Sequence, residues 1–107
     1  MTPRWDVGAD TVAEGGSNVG SNFYINSYAD GGAYLSTPLY IRRDNGYVGL
    51  GDTSPSSRLT VAGSVEMSGH LAMAAGAGNG YLMVSDAFGV GSWTDPETAI
   101  GTALDDR

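Results

Sequence analysis

From Leu59 to Met73 every odd position is apolar or glycine: Leu59, Val61, Gly63, Val65, Met67, Gly69, Leu71 and Met73. The even positions carry Thr60, Ser64, Glu66, Ser68 and His70, with alanines at 62 and 72. A strict period of two over this length is the alternation of extended chain with one face turned toward an apolar surface. Gly63 and Gly69 interrupt that face, which predicts two or three short strands with bends. What covers such a face is the question the rest of the chain must answer.

The chain itself offers little. Its 107 residues suit one domain at most, yet Leu, Ile, Val and Phe make up just under a fifth of them and the net charge is −7. That balance borders on the composition of disordered chains. Two Trp, six Tyr and two Phe argue for a fold, because aromatics carry large buried area. Ordering costs roughly 1–2 kcal/mol per residue, which a lone chain of this composition would struggle to offset. A core completed by other copies of the same chain reconciles the two.

Read in order, the chain is expected to be all-β. Arg4 to Gly8 is a short strand and Asp10 to Gly20 a loop of small polar residues. Ser21 to Ala29 is a strand, with Phe23 and Ile25 on one face and Tyr24 and Tyr28 on the other. Asp30-Gly31-Gly32 supplies residues that accept positive φ in a tight hairpin. Ala33 to Arg43 is extended again, with Pro38 marking an edge or a break between two strands. Asp44-Asn45-Gly46 turns into Tyr47–Leu50, and Asp52 to Pro55 turns into the alternating stretch. Ala74 to Gly80 is a loop, followed by a hairpin of 81–85 and 90–93 about Asp86-Ala-Phe-Gly89. Thr94-Asp-Pro-Glu97 has the form of a helix start, with Thr94 or Asp95 as N-cap and Glu97 placed for a capping box. Ala99, Ile100, Ala103 and Leu104 then share one side of a short helix, in which Gly101 costs about 1 kcal/mol relative to Ala. Asp105-Asp106 stands at the unfavourable end of the helix dipole.

Chemistry is poorly signalled. Cys and Lys are absent, so no disulfide, thiolate metal site or basic stripe exists, and nucleic acid is not an expected partner. No apolar run approaches the roughly 20 residues that span a bilayer, and no positively charged start precedes an apolar core, so neither membrane insertion nor a secretion signal is expected. His70 lies on the polar side of the alternation with Glu66, placed for solvent or an inter-chain hydrogen bond. A threefold ring of His70 around a metal is the alternative; no metal or cofactor is assigned. Arg42-Arg43 beside Asp44 reads as a solvated strand end, then as an inter-chain salt bridge, and last as an anion or sugar contact. Tyr24, Tyr28, Tyr34, Tyr40, Tyr47 and Tyr81 alternate with small residues, as half-buried strand aromatics or as a carbohydrate platform; Tyr24, Tyr28 and Tyr34 are the candidate ligand contacts. Gly49-Leu-Gly51 lacks the third glycine of a dinucleotide fingerprint, and Gly15 to Gly20 lacks the lysine of a phosphate loop. An enzyme is not expected, and no catalytic residue is assigned.

One pattern is familiar. Val48-Gly-Leu-Gly-Asp-Thr-Ser-Pro-Ser-Ser-Arg-Leu-Thr-Val-Ala-Gly63 resembles the Val-Gly-Ile-Gly-Thr-x-x-Pro-x-x-x-Leu-x-Val-x-Gly signature of phage and prophage tail fibres. Arg4-Trp-Asp-Val-Gly-Ala-Asp and Phe23-Tyr-Ile-Asn-Ser-Tyr-Ala-Asp-Gly-Gly32 are similar to the segment that often precedes it. Asn79-Gly-Tyr-Leu-Met-Val-Ser-Asp-Ala-Phe-Gly-Val-Gly-Ser-Trp93 is similar to the Gly-x-Val-Leu-x-Ser-Asp-x-x-Gly-x-x-x-Trp segment found downstream. The resemblance implies a homotrimer in which short strands of three chains intertwine about an axis. It implies a virion location in the tail or its appendages, a structural role in host adsorption, and other tail, baseplate or neck proteins as partners. A connector docking a fibre to the baseplate or neck, a carbohydrate-binding tip for a host surface glycan, and a polysaccharide-degrading spike fragment are the alternatives. The self-cleaving chaperone domain that often ends such fibres uses a Ser and Lys pair, so it is not expected in a chain without Lys. The chain is then a short fibre subunit or a segment of a longer one.

Four stretches are expected: a β-meander head or adaptor over 1–46, a fibre-repeat shaft over 47–75, a β hairpin over 76–93 and a short helix or tail over 94–107. The candidate trimer core is Leu59, Val61, Val65, Met67, Leu71 and Met73.

Overall fold

The computed structural model describes residues 3–105. These residues form two sheets and a single short helix, so the fold is all-β with a helix at its end. Two compact units divide between Glu66 and Met67.

The first unit is a five-stranded sheet in the order β1 (Trp5–Ala9), β2 (Phe23–Tyr28), β3 (Tyr34–Ile41), β4 (Val48–Leu50) and β5 (Leu59–Val61). Strands β1 to β4 are antiparallel, as a meander requires. The β2–β3 loop closes through Ala29 N–H donating to the Ala33 carbonyl at 2.7 Å and Gly32 N–H to the Ala29 carbonyl at 2.9 Å, with Gly32 at φ 94°. This three-residue loop demands a left-handed residue in its last position, which is why glycine stands there.

Of the two expectations for Pro38, the break fails, since β3 is continuous from Tyr34 to Ile41, and the edge holds locally, since Pro38 has no ladder partner on its β4 side. Ile25 pairs with Leu39 but Ser27 pairs with Ser36, so the ladder is irregular where Pro38 stands, and pairing to β4 begins only at Leu39. No ladder N–H is required of it, and its carbonyl still accepts from Gly51 N–H at 3.0 Å.

The turn at Asp52 to Pro55 does not reverse the chain, because β5 lies parallel to β4, with Val48 opposite Leu59 and Leu50 opposite Val61. Parallel neighbours usually need a connection of a dozen or more residues; here residues 51–58 suffice. Gly51, at φ 74°, starts the excursion, and the loop folds back over buried Gly49. A Cβ on Gly49 would collide with the Asp52 carbonyl oxygen. Asp52 Oδ1 accepts from Ser54 N–H at 2.7 Å, Pro55 is buried, and Thr60 Oγ1 accepts from the N–H groups of Ser56 and Ser57, each at 3.2 Å. Val48 N–H to the Arg58 carbonyl (2.9 Å) and Ala62 N–H to the Leu50 carbonyl (3.0 Å) fasten the two ends. The pattern that resembles the fibre signature is thus a compact parallel arch.

Beyond Val61 the alternation continues but the strand does not. Residues 62–81 hold no strand, and 63–72 make no hydrogen bond to other described residues. The two or three short strands expected over Leu59–Met73 therefore reduce to one. Alternation records that one face is apolar; a strand also needs a neighbour, and this segment has none among the described residues.

The second unit contains the hairpin of β6 (Leu82–Ser85) and β7 (Gly91–Thr94), followed by α1 (Pro96–Asp105). Its loop repeats the first: Asp86 N–H donates to the Val90 carbonyl at 2.9 Å and Gly89 N–H to the Asp86 carbonyl at 3.2 Å. Of the two candidate caps for α1, Asp95 serves. Its Oδ1 accepts from Thr98 N–H at 3.0 Å and its Oδ2 from the Thr98 hydroxyl at 2.8 Å. Thr98 therefore occupies the position expected of a capping-box partner, and Glu97 lies one residue early. The hydroxyl and N–H of Thr98 hold the Asp95 carboxyl below its ordinary pKa. The side chains of Ala103 and Leu104, expected on the apolar side, and residue Asp106 lie outside the described residues.

Candidate functional site

The register of the first sheet assembles a surface that no single strand reveals. Val7, Ile25, Leu39, Leu50 and Val61 stand opposite one another across all five strands, and so do Ala9, Phe23, Ile41, Val48 and Leu59. Paired residues share a face, so these ten form two adjacent apolar rows, and Trp5 extends them at the β1 edge. The rows hold no charged residue, in a chain of net charge −7.

None of this surface is buried. Val7, Phe23, Leu50 and Leu59 are exposed, the other large side chains of the rows are half-buried, and Trp5 is 61% exposed. Among the described residues no hydrophobic side chain other than Pro55 is buried. Fully burying a Val, Leu, Ile or Phe contributes about 1.5–3 kcal/mol, and the single chain collects little of it.

The expected core residues divide. Leu59 and Val61 stand in the rows at β5. Val65, Met67 and Leu71 are exposed and off the sheet, while Met73 is half-buried in the second unit, where its carbonyl accepts from Trp93 Nε1–H at 2.8 Å. The sequence reading missed Val7, Leu39, Ile41, Val48 and Leu50 as partners of Leu59 and Val61. Each lies in a short alternating strand, but only the register, set by loop lengths and the irregularity near Pro38, places them side by side.

The opposite face is polar and tied together by its own hydrogen bonds, with Asp6 Oδ1 and Asp44 Oδ1 buried without a partner among the described residues. Asp10 Oδ1 accepts from Val12 N–H (3.2 Å) and Asn22 N–H (2.9 Å), and its Oδ2 from Asn22 Nδ2 (3.2 Å) and the Tyr40 hydroxyl (2.6 Å). Asn22, 8% exposed, accepts Arg43 N–H at 3.0 Å, and Arg43 Nε–H donates to the Gly20 carbonyl at 2.9 Å. Arg42 pairs with Asp44 at 2.6 Å. Both arginines of the strand end are therefore engaged within the chain.

The three candidate ligand tyrosines share this face. The Tyr28 hydroxyl donates to Asp6 at 3.1 Å, and its ring meets Tyr34 edge-on at 6.3 Å. Thr37 donates to Asn26 Oδ1 at 2.7 Å, so the 2.8 Å contact between Tyr34 and Thr37 has the Tyr34 hydroxyl as donor. Tyr24 makes no hydrogen bond among the described residues; it lines an open recess of about 260 Å³ with Asp10, Asn26, Thr37 and Tyr40. Asp10 already accepts four bonds, which fills the sites a carboxylate offers. His70 is exposed, and no group of three or more His, Cys, Asp or Glu among the described residues could hold a metal ion.

Burial is the largest single influence on Asp10 and opposes its ionisation, but the bonds from Tyr40, Asn22 and Val12 together outweigh it and lower its pKa below 3.8. Burial, and then the bond to Asp10, raise the Tyr40 phenol above 10.0. A depressed carboxyl pKa stabilises the fold above the unfolded value and loses that contribution as pH falls through the folded one. Urea midpoints of the native chain should therefore drop below pH ~4, with a weaker drop in Asp10→Asn.

No family model and no curated protein matches this chain.

Proposed function

We propose that the chain is a structural subunit of a phage tail fibre, a virion appendage that takes part in host attachment, and that it folds as a homotrimer. The observation that carries this reading is the uncharged ten-residue surface across all five strands, left uncovered where, Pro55 apart, no apolar side chain among the described residues is buried. Ordering about a hundred residues costs on the order of 100 kcal/mol or more, and this fold stays marginal until that surface is covered. Copies of the same chain suit the task, because an acidic chain can meet itself only through a face that carries no acid. The parallel arch at Val48–Val61 lends the resemblance a structural sense, since its glycines, Asp52, Pro55 and Thr60 each have a place in the loop. Other tail, baseplate or neck proteins are the partners this reading implies, and a connector between fibre and particle is a variant of it. A glycan-binding tip draws less support, because the hydroxyls of Tyr28, Tyr34 and Tyr40 are already engaged.

Quantitative mass spectrometry of purified particles tests the assignment. The chain should be present in multiples of three, and particles made without it should fail to adsorb. Its absence from intact particles, with adsorption unchanged in the deletion, would overturn the reading.

A further inference from the structure

The second unit holds an aromatic plug and an apolar recess that cannot meet within one chain. Phe88 stands at the tip of the β6–β7 hairpin and is 91% exposed, with Val90 exposed beside it. The tip is rigid: Asp86 Oδ1 accepts from Phe88 N–H at 2.8 Å and Val90 N–H at 2.9 Å, and Gly89 closes the loop at φ 83°. A side chain held out on so fixed a turn loses little further freedom when it is captured. The recess, of about 450 Å³, is lined by Leu71, Met73, Ala77, Tyr81 and Trp93 and has no charged residue in its wall. The bond from Trp93 Nε1–H to the Met73 carbonyl fixes that wall.

Trp93 pairs with Met83 near the open end of the hairpin, and Phe88 lies beyond Asp86 at the other. From Met83 to Asp86 the strand alone covers about 10 Å at its usual rise. Phe88 therefore cannot bend back into the recess of its own chain. We infer that Phe88 of one copy inserts into the Leu71–Trp93 recess of the next. Such a head-to-tail contact uses two different patches on each copy and closes into a ring under threefold rotation. A buried aromatic anchor in an uncharged pocket is the kind of contact that dominates interface energies, and the chain supplies both halves. The inference rests on the reading that copies associate, and adds which surfaces of the second unit meet.

The absence of native cysteine makes the test direct. Chains carrying Ala87→Cys, beside the intact Phe88, are mixed with chains carrying Ala72→Cys or Ala77→Cys, at the recess, and mildly oxidised; a disulfide forms only between backbones about 4.4–6.8 Å apart. The expected result is a covalent Ala87→Cys with Ala72→Cys or Ala77→Cys heterodimer well above either self-pair, together with at least about tenfold weaker association of Phe88→Ser. Only self-pairs, or no disulfide, from the cysteine variants while the native chain still forms oligomers would overturn the plug and leave association standing. A native chain that stays monomeric, with no mixed disulfide between the cysteine variants, would remove both.

Discussion

Leu39→Asp is expected to abolish assembly. Leu39 lies on the central strand, with Ile25 and Leu50 as its cross-strand neighbours in one of the two apolar rows. In a shared core the substitution brings together one new carboxylate per chain, away from water and without a partner cation in either row. A buried unpaired charge costs several kcal/mol even after the site relaxes. The dissociation constant should rise by about 100-fold or more, equivalent to roughly 2.7 kcal/mol. Ser64→Asp adds the same charge at an exposed position that makes no hydrogen bond to other described residues, and should leave the oligomer intact. Sedimentation of the two variants at equal concentration separates a specific effect of the face from a general effect of added charge. Equal tolerance of both would count against the shared core.

Gly49→Ala should damage the fold itself. The single added carbon meets the Asp52 carbonyl oxygen, a backbone atom held by the turn that follows Gly51. Overpacking in well-filled sites costs about 1–3 kcal/mol and more where the neighbour cannot yield, and the upper end applies here. Gly31→Ala is the control, since nothing lies within 4 Å of its added carbon, and a free surface substitution usually stays within about 0.5 kcal/mol. Urea denaturation at fixed chain concentration should show a loss of about 3 kcal/mol or more for Gly49→Ala and almost none for Gly31→Ala. Amide signals of Val48 and Thr60 should report where the arch opens.

The parts of this fold legible in the sequence are those decided locally. The loops at Asp30–Gly32 and Asp86–Gly89 announce themselves by residue type, because their last position must accept positive φ. The start of α1 was legible to within one residue, with only the choice between Thr94 and Asp95 left to geometry. The facing of Phe23 and Ile25 away from Tyr24 and Tyr28 followed from alternation alone. What stayed hidden depends on contacts distant in sequence. Asp52 to Pro55 reads as a turn into the alternating stretch, and only the space over Gly49 shows that the turn carries the chain to a parallel neighbour. Pro38 reads as an edge or a break, and only the end of the β4 ladder at Leu39 decides between them. Asp10 gathers Asn22 and Tyr40 from other strands, which no local pattern signals.

The candidate site was half legible. Leu59 and Val61 were found because their alternation is long, whereas Val7, Leu39, Ile41, Val48 and Leu50 sit in strands too short to stand out. Extending the apolar set to Val65, Met67 and Leu71 follows the same alternation past the end of the ladder. Those side chains are exposed, and the backbone of residues 63–72 is without partners among the described residues. That is what a shared structure would leave behind when one chain is viewed alone.

The central claim is that this apolar face is covered by copies of the chain itself. Sedimentation equilibrium of the native chain at micromolar concentration measures it most directly. The account predicts three times the chain mass, with loss of the folded signal upon dilution to the point where the oligomer dissociates. A stable, folded particle of a single chain mass across that range would contradict it.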